Sequence, residues 1–346
     1  MQEFFTDSVQ KLQDFNLLLA SPKRIVITTH QNPDADALGS SLGLASYLKK
    51  KNHSVQVITP TDYPEFLQWM SGEKEVINFE SEKQETAKRL ISEAEVIFCL
   101  DFSALGRIKA MEEYVRSSAA KKVLIDHHQQ PESFADFVFW NEKAAATCEL
   151  IYQLIEILGD KALIDVSAAE CLYAGLVTDT GSFRFDSTTK DLHRVAGELI
   201  EIGVQTNDIH RKIFDNNSLE RMQFLGFAIS QKLVYLPQYR VSYIAISKEE
   251  LARYGSKNGD TEGIVNYGLS IKGVQMTAMF VERDDMIRIS FRSVKDFSVS
   301  ELARNYFSGG GHKNAAGGRS YESLSKTLEK FLSLLPQYQA QLLNSN

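Results

Sequence analysis

Along the first half of the chain, apolar residues come in short unbroken runs, not in a one-sided alternation. "RIVITTH" (24–30), "SVQVITP" (54–60), "EVIFCLD" (95–101) and "KKVLIDHH" (121–128) each read as a strand buried on both faces. Between them, "DALGSSLGLASYLKKKN" (36–52) and "GRIKAMEEYVRSS" (106–118) have helical spacing. This alternation predicts an α/β fold whose N-terminal domain is a parallel sheet flanked by helices. "FADFVFWN" predicts a further strand, and helices are then expected over 145–159, 167–180, 189–203 and 218–236. Strands return at 239–247, 274–282 and 286–293, followed by a helix over 299–307, a glycine-rich stretch over 308–320 and a closing helix. The pattern divides the chain into a first domain over 1–205, a helical linker over 206–236 and a smaller α/β domain over 237–346, with an active site expected in the cleft between them.

A length of 346 residues agrees with two domains, since a single core rarely grows that large. With 43% hydrophobic and 24% charged residues, the composition is that of an ordinary globular protein. No apolar run approaches the ~18 residues of a membrane span. The opening "MQEFFTDSVQKLQDF" reads as an amphipathic helix, not a signal peptide. Three scattered cysteines, Cys99, Cys148 and Cys171, read as small buried hydrophobes in a reducing compartment, so a cytoplasmic location is expected. A net charge of −7 argues against wrapping long duplex nucleic acid. The part from Pro237 onward has a small basic excess, which suits an anionic ligand there. The helix-rich middle offers a surface for a homodimer.

The ends of the predicted strands carry the chemistry. One ends at His30, one at Asp101 and one at Asp126-His127-His128. In an open parallel sheet the carboxyl ends of the strands share one edge, where ligands bind. The first end continues as "HQNPDAD", which adds Asp34 and Asp36; either also suits a helix N-cap. "LVTDTGSFRF" places Asp179 at a helix C-terminus, a poor position for a carboxylate unless a cation lies near. Buried together, the carboxylates of Asp34, Asp36, Asp101 and Asp179 would repel one another and take up protons. Two divalent cations remove that conflict, and mixed imidazole and carboxylate donors favour Mn²⁺, with Mg²⁺ the alternative. Adjacent strand residues face opposite ways, so His127 and His128 divide between a cation and the substrate.

These segments resemble the DHH phosphoesterase family. The resemblance rests on "HQNPDAD" (30–36), "LDFSALGRI" (100–108), "DHH" (126–128) and "TDTGSF" (178–183), together with "GGGHKNAAGG" (309–318), which is similar to the motif of the DHH-associated C-terminal domain. It implies that His30, Asp34 and Asp101 hold one metal ion, and Asp36, Asp101, His127 and Asp179 the other, with Asp101 bridging. Asp126 would orient the imidazoles, and His128 would act at the leaving group. The implied reaction is attack of metal-activated water on a phosphoester. Length and domain pairing resemble the group that hydrolyses short oligoribonucleotides (nanoRNA) and 3′-phosphoadenosine-5′-phosphate. Linear or cyclic dinucleotides, polyphosphate or pyrophosphate are the alternative substrates, and a nucleotide-binding regulator is the non-enzymatic alternative.

Substrate contacts are expected from the second domain. Gly309, Gly310 and Gly311 let the backbone approach an anion, His312 offers a hydrogen bond, and Arg292, beside Ser293, offers a fork for phosphate. His53 is expected at the surface, and His193 and His210 in structural roles. Trp69 and Trp140 are expected to be packing residues. The sequence leaves Arg184 undecided.

Overall fold

The structure is a computed structural model that describes residues 9–257 and 259–344. The first eight residues of the expected N-terminal helix lie outside this range, and α1 (Val9–Leu18) is its continuation. The chain forms two compact units, Met1–Asn216 and Asn217–Asn346.

In the first unit, six parallel strands lie in the order β3-β2-β1-β4-β5-β6. They are β1 (Arg24–Thr29), β2 (Ser54–Thr59), β3 (Ile77–Asn78), β4 (Val96–Leu100), β5 (Lys121–Asp126) and β6 (Phe137–Trp140). The strand residues alternate between two cores. Ile25, Ile27, Phe98, Leu100, Val123 and Ile125 join α2 (Ala35–Lys50), α5 (Thr147–Ile157), α6 (Val166–Asp179) and α7 (Lys190–Ile202). Val26, Ile97, Cys99 and Leu124 face α3 (Gln84–Glu93) and α4 (Glu112–Ser117) on the other side. Burial on both faces is why these strands read as unbroken apolar runs. Strand order reverses between β1 and β4, and their carboxyl ends define the crevice at that switch point. α8 (Thr206–Phe214) completes the unit.

Helices α2 and α6 pack at very short range. A Cβ on Gly39 would lie 2.3 Å from the Cys171 carbonyl oxygen, so no larger residue fits there. All three cysteines are free and buried.

The second unit is a mixed sheet in the order β11-β12-β10-β9-β8-β7. It comprises β7 (Leu233–Leu236), β8 (Val241–Ile246), β9 (Met276–Glu282), β10 (Ile287–Ser293), β11 (Gly310–His312) and β12 (Ala315–Ser320). One face packs on α12 (Val299–Tyr306) and α13 (Leu324–Asn344), the other on α9 (Leu219–Phe227), α10 (Lys248–Arg253) and α11 (Ile264–Leu269).

Some local expectations are corrected. The long helix over 218–236 stops at Phe227, passes through a π turn at Ala228–Lys232 and becomes β7, which pairs antiparallel with β8. Antiparallel pairing with the next strand overrides a helix-compatible pattern. The helix over 106–118 is a 3₁₀ stretch, Leu105–Met111, broken at Lys109 (φ 50°), followed by the short α4. The glycine-rich stretch forms the hairpin of β11 and β12. His53 is buried, and its Nδ1 accepts from the Lys23 amide at 3.1 Å. Among the described residues, no helix is long and apolar enough to cross a membrane.

Candidate metal centre and active site

Four segments of the first unit converge on the switch point. His30 follows β1, Asp34 and Asp36 open α2, Asp101 follows β4, His127 and His128 follow β5, and Asp179 ends α6. Each is oriented by local structure. Asp34 caps α2, its Oδ1 accepting from the amides of Asp36 and Ala37 at 3.0 Å each. Its other oxygen, Oδ2, lies 3.9 Å from His30 Nε2. The N-cap and ligand readings of this residue therefore both hold, one oxygen for each.

Asp36 is fully buried, and both its oxygens meet the N-terminus of α5: Oδ2 accepts from the Thr147 amide at 2.6 Å and Oδ1 from the Cys148 amide at 2.9 Å. Ala146, the residue before α5, supplies no side-chain cap, so these early amides are available to a neighbouring carboxylate. The two imidazoles follow one rule. His30 Nδ1 lies 2.8 Å from the Gln31 carbonyl and His127 Nδ1 lies 3.1 Å from that of Ala144. Each ring thus donates from Nδ1 to main chain and turns Nε2 towards the carboxylates, the arrangement of a metal-ligating histidine.

Asp101 decides the geometry. Its Oδ2 lies 3.4 Å from His30 Nε2, while its Oδ1 lies 3.3 Å from His127 Nε2. One carboxylate thereby divides its oxygens between two donor groups. His30, Asp34 and Asp101 form one; Asp36, Asp101 and His127 form the other, and Asp179 borders the second, its Oδ2 3.5 Å from His127 Nε2. Asp101 holds this pose at φ 63°, a left-handed conformation that costs an L-residue about 1–2 kcal/mol.

The groups of the cluster act strongly on one another. Burial, then the charge of Asp101, pushes the Asp36 carboxyl up to about 7. Burial, then Asp36 and Asp34, holds Asp179 well above the usual carboxylate range. Burial opposes charge on His30 and His127 as well, yet the hydrogen bonds to Asp101 raise both. Burial also acts against the Asp101 anion, but the two imidazoles hold it well below the ordinary value. Buried oxygen and Nε2 donors without thiolate are a set that divalent cations fit, and such cations would favour the charged form of these carboxylates.

His128 pairs with Asp126, and with Asp101 and Asp126 it makes a further group of possible ligands. Its Nδ1 lies 2.8 Å from Asp126 Oδ1, and its carbonyl accepts from the Trp140 indole N–H at 2.6 Å. The rings of His127 and His128 stand 5.0 Å apart in edge contact at 77°, and both residues follow the last residue of β5, so the strand alternation expected to send them opposite ways does not apply here. Trp140 thus ties the main chain at His128 to β6, a structural role. Among the other residues considered, His193 stacks on Phe183, His210 Nε2 meets Ser182 Oγ at 3.0 Å, and Arg184 Nε donates to the Gly181 carbonyl.

The second unit places the remaining candidates along β10, β11 and β12. His312 and Arg292 both pair with Ala315, so the three share one face of the sheet. Gly309 and Gly311 serve close approach of backbone, since their Cβ atoms would lie 2.0 Å from the Gly317 oxygen and 2.6 Å from that of Ala315. The Ser293 hydroxyl donates to the Phe297 carbonyl at 2.6 Å and accepts from the Asn314 amide at 2.9 Å, which ties down the loop around it.

Residues 24–176 match the N-terminal domain of the DHH family, and residues 238–341 match the DHHA1 domain. The bifunctional oligoribonuclease and PAP phosphatase NrnA of Bacillus subtilis is 31% identical, over 86% of this chain and 89% of that protein. The chain belongs to the DHH phosphoesterase family. A second relative of this DHH protein, the NrnA of Thermus thermophilus, is 27% identical, over 85% of this chain and 83% of its own. A solved structure of an exopolyphosphatase-related protein from Bacteroides fragilis superposes with a TM-score of 0.92 at 37% identity, covering 97% of this chain and 98% of that one. The fold is also that of RecJ from Thermus thermophilus, with a TM-score of 0.51 at 13% identity, over 96% of this chain and 54% of that one. Most of the site lies inside the DHH match, and Asp179 lies just beyond its end.

Proposed function

We propose that this DHH phosphoesterase uses two divalent cations to hydrolyse short oligoribonucleotides and 3′-phosphoadenosine-5′-phosphate. The observation that carries the reading is the division of the Asp101 oxygens between two donor groups, joined to relatives that are oligoribonucleotide and PAP hydrolases. His30, Asp34 and Asp101 would hold one cation; Asp36, Asp101, His127 and Asp179 would hold the other. Two such ions, Mn²⁺ before Mg²⁺, supply Lewis acidity towards water and the phosphoryl oxygens and neutralise the carboxylates.

The chain's own residues do the rest. Asp126 receives the Nδ1 proton of His128 and so fixes the ring with Nε2 directed away from that pair. With both ring nitrogens protonated, Nε2–H would pass its proton to the departing oxygen while Nδ1–H stays hydrogen-bonded to Asp126. The Trp140 indole fixes the main chain that carries this ring. Arg292 presents a planar fork to a phosphate of the substrate, the glycines of the hairpin admit the nucleotide close to backbone, and His312 hydrogen-bonds it. A net charge of −7 favours a short polyanion over a long one, because every phosphate contact needs a cationic partner.

The test is a substrate panel with Mn²⁺: 3′-phosphoadenosine-5′-phosphate, RNA of two to twenty-four nucleotides, linear and cyclic di-AMP, pyrophosphate and polyphosphate. The expected order places RNA of two to five nucleotides and 3′-phosphoadenosine-5′-phosphate first. The relation to an exopolyphosphatase-related protein makes polyphosphate the sharpest competitor. Faster turnover of polyphosphate, indifferent to nucleobase, would overturn the proposal.

A further inference from the structure

Asp101 is the carboxylate on which the two-cation reading turns, and a residue outside the donor set holds it in place. Its amide donates to the Ile125 carbonyl at 3.1 Å, which anchors the left-handed main chain. The carboxylate itself sits on a soft torsion and needs a separate hold. That hold is Thr147, whose Oγ1 donates to Asp101 Oδ1 at 3.0 Å. Thr147 is fully buried and is the first residue of α5. A threonine deeper in a helix commonly turns its hydroxyl back to the carbonyl one turn earlier; here it turns to Asp101. Its branched Cβ restricts the side chain to few rotamers. Its amide meanwhile donates to Asp36 Oδ2 at 2.6 Å. One residue therefore holds the carboxylate common to both donor groups and a carboxylate of the second group.

We propose that Thr147 is a positioning residue that locks Asp101 in its divided orientation and so sets the affinity for the second cation. This rests on the two-cation reading. Without the hydroxyl, the Asp101 carboxylate can rotate about its last torsion and offer both oxygens to one cation. The first ion would then bind much as before, and the second would lose its bridge.

The experiment compares wild type with Thr147→Val, which keeps the shape and removes the donor, and Thr147→Ser, which keeps the donor. Mn²⁺ binding is followed by titration calorimetry, and exchange coupling between the ions by electron paramagnetic resonance, both without substrate. Wild type is expected to bind two Mn²⁺ with a coupled signal. In Thr147→Val the second ion should bind about 10- to 100-fold more weakly, the range for residues that orient metal ligands, and the coupled signal should fade. Thr147→Ser should restore both. A valine variant with wild-type affinities and coupling, or a serine variant that behaves like the valine one, overturns the proposal. If Thr147→Val does not fold, Thr147→Ala against Thr147→Ser makes the same comparison. Failure of wild type to bind two ions would instead remove the two-cation reading, which is a separate outcome.

Discussion

Gly175 lies inside α6, one turn before Asp179, and replacing it with alanine probes how tightly the site is built. A Cβ there would stand 2.4 Å from Cys148 Sγ, 2.7 Å from Asp36 Oδ1 and 3.0 Å from Asp36 Cα. The oxygen has little freedom to retreat, because it accepts from the Cys148 amide at 2.9 Å. Forcing a methyl into such a core costs about 1–3 kcal/mol, while the gain in helix propensity returns about 1 kcal/mol. Gly197, inside α7, is the control: a Cβ there meets no heavy atom within 4 Å, so alanine gains the propensity alone. The two variants should thus differ by the packing cost. In a unit that spans Met1–Asn216, that corresponds to a gap in Tm of roughly 2–12 °C, at about 2–4 °C per kcal/mol. Calorimetry in the presence of chelator would show Gly197→Ala melting above wild type and Gly175→Ala well below the control. Gly175→Ala should also need more Mn²⁺ for half-maximal release of phosphate from 3′-phosphoadenosine-5′-phosphate, since Asp36 is displaced. Should it melt with the control and keep the wild-type metal requirement, the claim that Asp36 and α6 are in obligatory close contact is wrong.

Two further outcomes are expected. Asp36 and Asp179 have raised values in the folded protein, so the folded state binds protons that the unfolded chain has released, and their contribution to stability declines as pH rises above the unfolded carboxylate range, that of Asp36 through about 7. His30 and His127 are raised as well, and their contribution is complete below the ordinary imidazole value and lost as pH climbs past it. Metal-free protein should therefore lose Tm between pH 6 and pH 9, and saturating Mn²⁺ should flatten that decline; a metal-free Tm that rises over this window contradicts the electrostatic account. Arg292→Ala should raise KM for di- and trinucleotides by about tenfold, the loss of one charge-assisted hydrogen-bonded contact, with a smaller change in kcat; an unchanged KM removes Arg292 from the substrate's contacts.

The candidate site was unusually legible for a reason that lies in the sheet. Strands buried on both faces are written in apolar residues, so His30, Asp101 and Asp126-His127-His128 stand out at their ends. A parallel arrangement then places those ends on one edge without further information. The misreadings occurred where a local pattern has two meanings. "QKLVYL" continues a helical periodicity, but pairing with β8 makes residues 233–236 a strand. His53 precedes a strand and looks superficial, but the main chain at Lys23 covers it.

What the amino-acid order determined alone is the set of donors and the edge they share, because burial on both faces and strand polarity are properties of short segments. Only the tertiary structure decided how the donors are held. The hydroxyl of Thr147 reaches Asp101 across 46 positions, and its amide reaches Asp36 across 111. Gly175 looks like any helix glycine until Asp36 and Cys148 are packed against it. Hydrophobic periodicity reports which face of a segment is covered, and carries no record of which distant atom covers it.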